Sequence, residues 1–162
     1  MDELYAAYAD YLAGVCYRYV TNDEDVKDVL QESLIKIFTE FVSFDYRGAG
    51  SLTAWMRRIV VNECLQLLRR QSHDPLLLDT ELPDLPDEEP DTNRLTTREL
   101  MYLLRKLPDG YRTVLNLYVI EGRSHKEIAE LLHIKPDSSA SQLHRAKNML
   151  AHLIKEYKSK LR

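Results

Sequence analysis

The chain has 162 residues, of which 44% are hydrophobic and 30% charged, with a formal net charge of −4. That length and content suit packed cores in one domain or two small ones, and only five glycines favour helix. No run approaches the roughly 20 apolar residues that span a bilayer, and acidic Asp2 and Glu3 follow Met1 where a signal peptide would be basic, so no membrane insertion and a cytoplasmic location are expected.

Leu4, Tyr5, Tyr8, Leu12, Val15, Cys16 and Tyr19 recur at steps of three and four, which predicts a helix from about Asp2 to Val20. Thr21-Asn22-Asp23-Glu24 supplies cap residues and early acids for a second, long helix whose apolar face runs from Val26 through Val29, Ile37 and Phe38 to Phe41. Its other face carries Asp25, Asp28, Gln31, Glu32 and Lys36, a polar strip that by itself reads as an ordinary wet surface. Residues 43 to 51 form a loop, since Gly48 and Gly50 break helix and Ser51 can cap the next one. A third helix places Leu52, Trp55, Met56, Ile59, Val60, Cys64, Leu67 and Leu68 on a core face, with Arg57, Arg58, Asn62, Arg69 and Arg70 as a basic ridge off it. Phe44, Tyr46 and Arg47 beside that ridge can stack an unpaired base and hold its backbone. Trp55 is expected as a core anchor, with Phe44 open between core and stacking. Cys16 and Cys64 lack a CxxC pattern or a nearby histidine set, so buried free thiols are expected, with no disulfide, metal or cofactor.

From Gln71 to Asn93 periodicity stops, because Pro75, Pro83, Pro86 and Pro90 forbid a long helix and eight acids face no basic residue. This is a linker between bodies at 1–70 and 94–162. Its leucines, Leu76, Leu77, Leu78, Leu82 and Leu85, are more apolar than a spacer needs and suggest docking on a partner or on the protein itself. A fourth helix carries Leu95, Leu100, Leu103, Leu104 and Leu107 and ends before Pro108, and a fifth carries Tyr111, Val114, Leu115 and Tyr118 and ends near Gly122. Ser124 and Glu127 form a capping box for a sixth. Pro136 and Asp137 start a seventh after a turn at His133 to Lys135. The last helix continues through Ala146, Leu150, Leu153, Ile154 and Tyr157, an apolar stripe expected to pack on the fourth and fifth.

The sixth and seventh helices read as a helix-turn-helix, whose second member can enter the DNA major groove. It would present Ser138, Ser139, Ser141, Gln142, His144 and Arg145. Gln and Arg suit base edges, while Ser and Lys suit phosphate oxygens. Residues 94–162 carry 14 basic and 7 acidic side chains, so the net negative charge hides a positive second body that phosphate attraction requires.

Taken together, these motifs resemble the extracytoplasmic-function (ECF) class of RNA polymerase sigma factors, two small helical domains joined by a linker. The resemblance rests on Asp25-Val26-Lys27-Asp28-Val29-Leu30-Gln31-Glu32-Ser33, Tyr46-Arg47-Gly48, Trp55 and Arg58-Ile59-Val60-Val61-Asn62-Glu63 in the first half. In the second half it rests on Leu107-Pro108, Tyr111-Arg112, Glu127-Ile128-Ala129 and Ser141-Gln142-Leu143-His144-Arg145-Ala146-Lys147.

It implies an all-α fold, no catalysis, and partners in the largest and second-largest subunits of core RNA polymerase, promoter DNA and an anti-sigma factor. It assigns Asp25, Asp28, Gln31 and Glu32 to core polymerase. Tyr46, Arg47 and Asn62 go to a flipped minus-10 base, with Arg57 and Arg58 on backbone phosphates. Lys126, Ser138, Ser139, Ser141, Gln142, His144, Arg145 and Lys147 go to the minus-35 element, and the acidic linker to a basic polymerase channel.

The chain departs from the family in lacking a short helix before Leu4-Tyr5, in His133 where glycine is common, and in Ala140 where a cation usually meets a phosphate. The alternatives are a stand-alone duplex-binding regulator, which leaves the Gln31-Glu32 strip unexplained, and an enzyme built on His125, His133 or His144 with Glu127 or Glu130. The enzyme reading lacks any phosphate cradle or nucleophile elbow.

Overall fold

The computed structural model describes residues 2–71 and 85–161, which divide into two compact units at Gln71 and Ser72. Among the described residues the regular structure is helical, with no strand.

The first unit packs α1 (Asp2–Tyr19), α2 (Asp23–Glu40) and α3 (Ser51–Gln71) against one another. Val15, Cys16, Ile37, Val60 and Cys64 form its fully buried centre, as the helical spacing predicts. Asn22 caps α2 by accepting the Asp25 N–H. Ser51 does not cap α3 as expected. Its hydroxyl donates to Gly48 O at 2.8 Å and accepts the Arg47 N–H at 3.2 Å, closing the loop on itself. Gly48 and Gly50, at φ of 108° and 84°, let that loop turn where a side chain would be strained. Lys36 differs from its reading as wet surface, because it pairs with Glu63 of α3, a buried carboxylate.

In the second unit α4 (Thr97–Leu104), α5 (Asp109–Leu115) and α6 (His125–Leu132) each pack on the long α7 (Pro136–Lys160). Pro108 precedes α5, which ends in a π turn at Asn116–Ile120. Ser124 and Glu127 make the predicted capping box. His133 takes the left-handed conformation at φ 57°, the place where glycine was expected by resemblance. Residues 87–91, within the expected linker, lie along α7. Leu76, Leu77, Leu78 and Leu82 fall outside the described residues.

Candidate nucleic-acid and polymerase interfaces

On α2, Asp28, Gln31 and Glu32 are exposed together. The spacing that brings them to one face also places Ile35 among them, and this large apolar side chain is 51% exposed. An exposed isoleucine within a polar strip has the make-up of an apolar contact ringed by hydrogen-bonding groups. Sequence reading passed over it, although its offset of four from Gln31 and three from Glu32 was visible. Asp25 stands apart, since its carboxylate accepts a 2.8 Å hydrogen bond from Gln71 and so ties the start of α2 to the end of α3.

The loop before α3 and the first turns of α3 enclose a cleft of about 430 Å³ lined by Phe44, Asp45, Arg47, Trp55 and Arg58, with Ser43, Ser51 and Ala54. The Phe44 and Trp55 rings lie 5.0 Å apart, and Phe41 approaches Trp55 edge-on at 6.4 Å. Trp55 is therefore only half-buried and forms a wall of the cleft instead of a core anchor, and Phe44 joins it. Arg47 is paired with Asp45 at 3.2 Å. Two guanidinium groups and an aromatic wall can accept a planar base and its phosphate. Tyr46 is 69% exposed and does not line the cleft, and Asn62 is exposed further along α3. Arg57 lies about 100° around the helix from Arg58 and is half-buried, so the expected set divides between the cleft and its surroundings.

On α6 and α7, Lys126, Ser141, His144 and Arg145 are exposed, and Ser138 and Lys147 are half-buried. Ser139 and Gln142 are corrections to the sequence reading. Ser139 has no exposed surface and its hydroxyl lies 2.9 Å from His125 Nδ1, while His125 stacks on Tyr118 at 4.7 Å. Gln142 is 6% exposed and its amide atoms have no hydrogen-bond partner among the described residues. Both positions share the inward stripe with Leu143, Ala146 and Leu150, so neither side chain faces outward to DNA.

The acids of residues 87–91 meet the cationic side of α7. Asp87 lies 2.6 Å from His144 Nε2 and accepts from Asn148 at 3.1 Å; those contacts, Asn148 first, hold its carboxyl below the usual range. Glu88 pairs with Lys155, Glu89 with Lys147 and Asp91 with Lys158. Among the described residues no group of three or more potential ligands forms a metal site, and no helix is long and apolar enough to cross a membrane. Of the glutamates considered for acid-base work, Glu127 is occupied by its capping box and by Arg123.

Comparison with known families places both halves. Sigma-70 region 2 matches residues 4–73 and Sigma-70 region 4 matches residues 97–150. The ECF RNA polymerase sigma-E factor of Haemophilus influenzae is 31% identical, over 93% of this chain and 85% of its own length. ECF sigma factor SigW of Bacillus subtilis is 29% identical over 88% of this chain and 82% of its own. The sigma factor RpoE of Bartonella quintana, solved in complex with the anti-sigma factor NepR, shares the fold at a TM-score of 0.55 and 19% identity, covering 95% of this chain and 96% of its own. The chain belongs to the ECF class of the sigma-70 family. Sigma factors direct RNA polymerase to promoters and are generally not enzymes.

Proposed function

We propose that the first unit docks on the largest subunit of core polymerase through Asp28, Gln31 and Glu32 around Ile35, and captures an extruded minus-10 base in the cleft between Phe44, Trp55, Arg47 and Arg58. Tyr46 and Asn62 would flank that base, with Arg57 toward the backbone. Ser141, His144 and Arg145 would read the minus-35 element, with Lys126, Ser138 and Lys147 on phosphates and the second-largest subunit holding this unit. The protein has no catalysis of its own, works in the cytoplasm with the polymerase, and is restrained by an anti-sigma factor.

The observation that carries this reading is the aromatic-walled cleft with its two arginines. Extruding a base costs unstacking energy, which a stacking wall returns, whereas a plain duplex-binding regulator needs no such cleft. The test is retention of the purified chain on immobilised core polymerase together with promoter-dependent transcription. Gln31→Ala with Glu32→Ala should lower retention by about tenfold or more, as hot-spot truncation does, with unchanged helicity. Retention equal to wild type refutes the role of the α2 strip.

A further inference from the structure

One side of the outward face of α7 carries a segment of the protein's own chain. Asn148 sits on that face one turn beyond His144, yet it is only 8% exposed, because residues 87 and 88 cover it. Its carboxamide is used on both sides: Oδ1 accepts the Glu88 N–H at 3.1 Å and Nδ2 donates to Asp87. The segment then runs in the same direction as the helix. Glu88 reaches Lys155 at 2.5 Å, and Asp91 receives Lys158 through both its carboxylate, at 3.1 Å, and its backbone carbonyl, at 2.9 Å. Three carboxylates thus lie on lysines of α7, with Asp87 on His144 and Asn148, and a row of anionic groups is also how a phosphate backbone presents its charge.

We infer that residues 87–91 act as an intramolecular strap that competes with DNA for the recognition face of α7. The inference rests on the reading of α7 as the DNA-contacting helix. The strap engages His144 and Lys147, two of the side chains given to the minus-35 element, by contact at their edges, His144 keeping exposed surface, and leaves Arg145 and Ser141 exposed beside it. Each exposed pair is weak alone and screened by salt. The short tether supplies a high effective concentration, so their sum can hold the strap closed. Duplex DNA releases many counterions at once and can displace it. The apparent affinity for DNA is therefore reduced by the fraction of chains with the strap open. Any basic surface that takes up the acidic segment raises that fraction, coupling uptake of the segment to exposure of the face.

The test uses the full chain and a short duplex of mixed sequence at low salt. Hydrogen exchange at the Glu88 amide reports strap closure directly, and saturation with DNA should speed that exchange. The quadruple variant Asp87→Asn, Glu88→Gln, Glu89→Gln, Asp91→Asn should bind the duplex about tenfold more tightly. A variant neutralised equally in the first unit, at Asp2, Glu3, Asp10 and Glu40, should gain far less and thereby separates local competition from net charge. Continued protection of the Glu88 amide at DNA saturation overturns the inference, as does an equal gain from the two neutralised variants. Arg145→Glu should abolish binding. If it binds as wild type does, the reading of α7 as the DNA face fails instead, and the two failures are distinguishable.

Discussion

Cys16 and Cys64 come from different helices, yet their sulfurs lie 3.7 Å apart and neither residue has exposed surface. The Cys64 thiol hydrogen-bonds to Cys16, and that bond together with burial pushes its pKa well above the ordinary thiol value. Since the thiolate is the reactive form, both should resist thiol-specific alkylation in the native chain at pH 8 and react fully once it is denatured, as mass spectrometry would register; fast native labelling of either contradicts the burial. Ser33 is the opposite case, a buried hydroxyl on the inner face of α2 with no hydrogen-bond partner among the described residues. Ser33→Ala removes an unsatisfied polar atom at little cavity cost and should stabilise the first unit by about 1 kcal/mol in urea denaturation. The sequence identified the cysteines as core because thiol and apolar spacing agreed. It misplaced Ser139 and Gln142 because their chemistry suggested an outward role, although their offsets of seven and four from Ala146 put them on the inward stripe. Spacing decides burial when it conflicts with residue type on a helix this regular.

The helices were legible wherever a local signal fixes them. Asn22, Ser124 with Glu127, Pro136 and the two loop glycines each act within one turn, and the structure starts or ends its elements there. Thr96 with Glu99 is the same signature, formed at α4 and missed in the sequence because the preceding acidic stretch read as linker. In both boxes the glutamate carboxyl is held below its ordinary value, first by the backbone N–H of the cap residue and then by Tyr157 for Glu99 or Arg123 for Glu127. A depressed folded-state pKa contributes stability that is complete above about 4.5, the unfolded value, and is lost as pH falls through the folded value. Carboxyl titration by NMR should therefore give midpoints below 4.5 for both residues. Thr96→Ala should cost roughly 1 kcal/mol and bring the Glu99 midpoint back toward the ordinary one. The Lys36–Glu63 pair between α2 and α3 was not legible, because no spacing rule links residues on separate helices. Lys36→Met leaves a buried carboxylate unpaired and should destabilise by roughly 2 kcal/mol, less than a fully buried pair because Lys36 keeps some solvent. Adding Glu63→Leu should restore most of that loss, and a double variant as unstable as the single one contradicts this account.

Across the whole molecule, the count of charges along the sequence showed an acidic stretch before a basic body, but it could not show that the two touch. Attraction between charged segments depends on where the fold brings them, and α7 brings Lys147, Lys155 and Lys158 to the side that residues 88–91 reach. The burial of Gln142 also bears on the proposed base selection, since of the side chains assigned to base edges on α7 it leaves Ser141, His144 and Arg145 exposed. An arginine that grips a guanine edge with two hydrogen bonds contributes about 1–3 kcal/mol of discrimination at one base pair. A lysine on a phosphate attracts every sequence alike. Arg145→Ala and Lys126→Ala should therefore differ in kind. In selection from a library randomised over the upstream promoter element, with core polymerase present, Arg145→Ala should relax the preference at one position and lower affinity for selected sites by roughly 10- to 100-fold. Lys126→Ala should leave the selected sequence unchanged and reduce the slope of log affinity against log salt by about one. If both variants merely weaken binding to all sequences by the same factor, Arg145 is another phosphate contact, and sequence choice by this unit must come from the shape of the DNA and not from its base edges.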